Sequence, residues 1–128
     1  MSLALALVQT SPASNPDRNI VKVTFGGTYP VGGDPLPLTA ISDPQVLVQV
    51  PFTPQNLPVT PYDLNAWLAG YYVEIQRIVT GSGLSAVTTF NLRAYAPGGA
   101  EITTAAAYPA GILNGELFIE ILCPTVQQ

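Results

Sequence analysis

The sequence predicts an all-β protein, a small antiparallel sandwich or barrel with Pro-rich connections, and three observations carry that prediction. Apolar and polar residues alternate with period two in segment after segment. Glycine and proline, 11 and 13 of 128 residues, punctuate the intervals between them. Only Tyr62 to Gly70, "YDLNAWLAG", reads as a helical turn, with Asp63 placed to cap its amides and Gly70 to end it.

The elements follow in chain order. "MSLALALV" has no basic flank, and its apolar run is too short for a secretory signal, so it is read as a strand or arm with Leu3, Leu5 and Leu7 on one face. Residues 1–19 form this N-terminal arm and 20–128 a single β domain. In "IVKVTF" Val21, Val23 and Phe25 point one way and Lys22 and Thr24 the other. "QVLVQVPF" sets Val46, Val48, Val50 and Phe52 against Gln45, Leu47 and Gln49. In "GYYVEIQRIV", Tyr71, Val73, Ile75 and Val79 oppose Tyr72, Glu74 and Gln76, with Arg77 in the apolar row near a strand end. "VTTFNLRAYA" directs Phe90, Leu92 and Ala94 inward, and "GELFIEIL" with the residues after it does the same with Leu117, Ile119, Ile121 and Cys123. "TGSG" from Thr80 and "APGGAE" from Ala96 are hairpin connections. Pro51 to Pro61 is extended, non-helical connection at a sheet edge.

"TFGGTYPVGGDPLPL", Thr24 to Leu38, invites comparison with a phosphate loop, but it has neither the Gly-Lys-Ser/Thr ending nor the G-x-G-x-x-G spacing. Its Gly26, Gly27, Gly32 and Gly33 are assigned to turns and bulges that need positive φ. The absence of histidine removes the usual general base, the Ser-His-Asp and Cys-His nucleophiles and the commonest zinc ligand. Glu116 and Glu120 share a strand face at a spacing of roughly 13 Å, too far apart for glycoside chemistry. Asn15, Asp17 and Asn19 alternate like calcium ligands but lack the loop's Gly and terminal Glu. The chain is read as non-enzymatic and without a cofactor or metal. An enzyme would need a pocket gathering Asp34, Asp43 or Asp63 with Glu74.

Charged residues are only 9% of the chain and the net charge is -4, so much of the exterior must be hydroxyl, amide, Pro and small apolar groups, a surface that favours association. Arg18, Lys22, Arg77 and Arg93 are too few and too scattered to hold a phosphate backbone, so no nucleic-acid partner is expected. No apolar stretch approaches the ~20 residues of a helical span, and no membrane partner is expected. With Cys123 alone no intrachain disulfide forms, and folding in a cytoplasm is expected.

"VTFGGTYPVGGDPLPLTAI", with "GYYVEIQ", "FNLRAYAPGGAEI" and "LFIEILCP" further on, resembles small virion proteins of tailed bacteriophages, of the capsid decoration or cement type. The resemblance covers about the last four fifths of the chain. It implies a virion structural protein on the outer face of the shell, bound to the major capsid protein and associated with itself as a homotrimer. The Pro-rich insert and the long arm depart from the pattern. Candidate contact residues are Leu3, Leu5 and Leu7 on the arm, which would add as a strand to a neighbour, with Trp67, Tyr71 and Tyr95. The competing reading is a carbohydrate- or host-surface-binding β module of a tail or head fibre, with Tyr71, Tyr72, Tyr95 and Tyr108 as stacking groups.

Overall fold

A computed structural model of the chain describes residues 3–11, 17–42, 52, 59–61 and 69–123. Its strands are β1 (Leu3–Ser11), β2 (Asp17–Phe25), β3 (Thr28–Tyr29), β4 (Asp34–Pro35), β5 (Val59–Pro61), β6 (Tyr72–Thr80), β7 (Val87–Tyr95), β8 (Ala106–Ala107) and β9 (Leu117–Cys123), with one short helix, α1 (Ala110–Leu113). All pairings are antiparallel. They form a four-stranded sheet in the order β1-β2-β9-β5, a three-stranded sheet β4-β7-β6 and a two-stranded ribbon β3-β8. The all-β expectation is met.

The alternation read from the sequence gives the inner faces. Val21 pairs with Ile119 and Val23 with Leu117 across β2 and β9, and Ile75 pairs with Leu92 and Val73 with Ala94 across β6 and β7. Val21, Leu92, Ala94, Ile119 and Ile121 are fully buried, and one hydrophobic cluster joins residues of both sheets with Tyr29, Leu38, Tyr108 and Ile112 from the connections. The core therefore lies between the two larger sheets.

Residues 3–11 of the expected arm are a strand, paired with β2 of the same chain from Leu3↔Phe25 to Ser11↔Arg18. The division at residue 19 falls inside β2. Asp17 and Asn19 extend the inward row of Val21 and Val23 and are buried, so two polar residues interrupt the apolar pattern that located this strand's start at Ile20. The register shift between Leu7 and Gln9 inserts Val8 as an extra residue and turns Thr10 towards that row. There the Thr10 hydroxyl donates to Asn19 Oδ1 at 2.7 Å, and Asn19 Nδ2 donates to the Ile121 carbonyl at 3.4 Å.

In the glycine-rich stretch the chain reverses between β3 and β4. Gly33 N donates to the Pro30 carbonyl at 3.2 Å, and Gly32 and Gly33 take φ of +87° and +95°. A Cβ on Gly33 would lie 3.0 Å from the Leu92 carbonyl oxygen, so this turn is pressed against β7. Gly27 also has positive φ; Gly26 does not. Of "QVLVQVPF" only Phe52 is described; it is buried and donates its backbone N–H to the Ile41 carbonyl. The rest of that strand, most of Pro51 to Pro61 and the helical turn before Ala69 lie outside the described residues.

Candidate interaction surface

The surface rests on an internal polar framework at the end of β7. Val73↔Ala94 leaves the Ala94 N–H and C=O turned away from β6, beyond the two residues that β4 covers. The Ala94 carbonyl accepts from Ile102 N at 3.1 Å, and its N–H donates to the Tyr29 hydroxyl at 3.2 Å. A phenol thus completes the ladder where a strand ends. Tyr29 in turn donates to Glu101 Oε2 at 2.6 Å, which also accepts from Arg93 Nη1 at 2.8 Å. Burial, then the bond to Glu101, pushes the Tyr29 pKa up to about 12. The Tyr29 and Arg93 bonds hold the Glu101 carboxyl below its ordinary range.

Tyr108 forms a second anchor. Its hydroxyl donates to Asp34 Oδ2, its ring meets Phe25 and Tyr29 edge-on, and burial followed by the Asp34 bond raises its pKa. Asp34 faces inward opposite Leu92, whereas Glu74 stands on the outer face of β6, so the structure does not gather these carboxylates. Asp43 and Asp63 lie outside the described residues. Glu120 pairs with Arg18, and Glu116 Oε1 lies 3.9 Å from Lys22 Nζ; both are partly exposed links between β2 and the β9 region. Among the described residues no group of His, Cys, Asp and Glu could hold a metal ion, and no helix is long and apolar enough to cross a membrane.

The outer face of β6 and β7 is polar and aromatic. Tyr72 and Tyr95, directly opposite in register, stack with centroids 5.0 Å apart and planes 16° from parallel. Tyr95 donates to Glu74 Oε1 at 2.7 Å, which raises its pKa, and Arg93 Nε donates to Gln76 Oε1 at 3.0 Å. The far end of the same hairpin is apolar. From Ile78 to Leu92 no charged residue occurs. Val79 and Val87 are about half exposed, and Leu84 is fully exposed. A 3-10 turn, Gly83–Ser85, presents Leu84 and is held by Ser85 Oγ donating to the Ser82 carbonyl at 3.0 Å and Ala86 N to the Gly83 carbonyl at 3.3 Å.

The residues singled out from the sequence separate into groups. Leu3 is buried in this chain's own core, and Leu5, Leu7 and Tyr71 pack against it. Tyr95 belongs to the outer face, and Trp67 lies outside the described residues. Of the four tyrosines considered for stacking on sugars, Tyr108 is buried and Tyr71 is turned to the core, leaving Tyr72 and Tyr95. Sequence reasoning did not select Leu84 and Val87, and it placed Val79 in the inward apolar row, where the strand end leaves it half exposed. The signal was the uncharged "IVTGSGLSAV", where apolar residues continue into a glycine-marked turn. Compared with protein-family models, curated proteins and solved structures, the chain matches none.

Proposed function

We propose that the chain is a non-enzymatic virion structural protein that binds the outer surface of a phage capsid as a decoration protein, as a trimer, with the major capsid protein as its partner. The observation that supports this reading is the end of the β6–β7 hairpin. A leucine held in full solvent by a bonded turn contributes nothing to this chain's core. Burying it against a partner is worth about 1.5–3 kcal/mol. The lack of charge around it suits an apolar, neutral seat on another protein, and on a symmetric lattice many such modest contacts sum. The sequence resemblance supplies the capsid.

Co-sedimentation with expanded capsids tests the proposal. Stoichiometric, saturable uptake is expected; no uptake would overturn it.

The outer face of β6–β7 favours a second reading, a carbohydrate- or host-surface-binding module. Tyr72 and Tyr95 give an aromatic platform flanked by Glu74, Gln76 and Arg93, groups that can hydrogen-bond hydroxyls. Glycan-array binding abolished by Tyr72→Ala would support it, and an array without signal would remove it.

A further inference from the structure

We propose that two copies of this chain join edge to edge through β1, extending the four-stranded sheet across a two-fold axis. The inference does not depend on the capsid reading. A strand at a sheet edge presents a row of unpaired N–H and C=O groups, and folded chains guard such rows by keeping them short, charged or interrupted by proline. Three edges here are guarded in those ways. β5 has three residues and ends in Pro61, β4 consists of Asp34 and Pro35, and β6 carries Glu74 and Arg77. β1 is the exception over Leu3 to Leu7, its bulge lying beyond them. It runs nine residues, "LALALVQTS", without a charge or a proline, and among the described residues no strand lies on its outer side.

The side chains of β1 suit a copy of itself. In an antiparallel pair centred on Leu5, Leu5 faces its own equivalent, Leu3 faces Leu7 and Ala4 faces Ala6. Leucines then meet leucines on the inner face, and the small, exposed alanines meet on the outer face without crowding. In the single chain Leu5 and Leu7 are only partly buried, and the incoming strand would cover their outer flank. The register shift of β1 falls after Leu7, so Leu3 to Leu7 remain regular. No like charges are brought together, because the strand has none. The contact is isologous and so has two-fold symmetry. It cannot close a trimer; it would couple pairs of whatever unit the chain forms through other surfaces.

The test uses the full chain. In the proposed register, Ala4→Lys with Ala6→Lys sets like charges opposite each other on both sides of the axis. Ala4 and Ala6 are exposed, so the fold should tolerate the change. Ala4→Glu with Ala6→Glu does the same with the opposite sign. In sedimentation equilibrium at high protein concentration, the wild type is expected at twice the mass of either double variant, and mixing the two variants should restore the wild-type mass. Equal masses for wild type and both double variants would overturn the proposal, as would a mixture that stays at half the wild-type mass. The measurement needs no capsid, so its failure and that of the capsid reading are separate results.

Discussion

Replacing Tyr29 by Phe removes one oxygen and leaves the ring in place. Tyr29 is fully buried, and its hydroxyl is the acceptor for the Ala94 N–H, beyond the two residues of β7 that pair with β4. Without it, a buried backbone donor loses its partner, at a cost of about 1–3 kcal/mol. Glu101 also loses a donor, but it keeps Arg93 and access to water, so this part is small. A total of about 1–3 kcal/mol is expected. With an unfolding entropy near 2.1 cal/mol/K per residue, the melting temperature should fall by about 4–11 °C. Thermal and urea unfolding at pH 7 measure both quantities, and an unchanged urea m-value would show that the unfolded state is not responsible. A fall of less than about 2 °C would refute the reasoning, since the Ala94 N–H would then have found another acceptor at no cost. The same variant has a pH signature. The Tyr29 pKa is raised from 10.0 to about 12, so its contribution is fully present below pH 10 and is lost as pH rises towards 12. Tyr108 is raised as well and adds to the alkaline loss. Tyr29→Phe should therefore flatten the decline between pH 10 and 12 without abolishing it.

Leu84→Asp should leave stability within about 0.5 kcal/mol of wild type. On the proposed capsid reading it should weaken uptake about tenfold or more, read by co-sedimentation, because a charged hairpin end would not enter an apolar seat. Ile119→Ala removes a fully buried side chain at the centre of the larger sheet and should cost about 2–5 kcal/mol in urea unfolding. Gly33→Ala requires a left-handed backbone and a close approach to β7, so a loss of about 1–3 kcal/mol is expected; a neutral result would show that the turn can relax.

The strands that carry the core could be read because each keeps one apolar row through several residues. In β7 and β9 the inward positions named from the sequence from Phe90 to Ala94 and from Leu117 to Ile121 are buried, while the Cys123 side chain lies outside the described residues. β2 was legible only from Ile20 onwards, because Asp17 and Asn19 fill inward positions, and Asn19 satisfies its polarity through tertiary bonds that a local pattern does not reveal. β3, β4, β8 and α1 have two to four residues each, too few to display any period. The leucines of "LALALV" presented the same alternation whether they faced this chain's core or a neighbour, and only the pairing with β2 distinguishes the two. The candidate surface was harder to see. Leu84 is exposed because it sits on a turn beyond the reach of the opposing sheet, and a count of apolar residues does not carry that information.

The placement of β9 between β2 and β5 governs how this molecule can be made. Its partners in β2 leave the ribosome about a hundred residues earlier, so during synthesis the β1–β2 hairpin must wait with its inner edge unfilled. Assembly of the larger sheet is thereby postponed until β9 emerges, and a nascent chain stalled before residue 117 should be held by chaperones rather than folded.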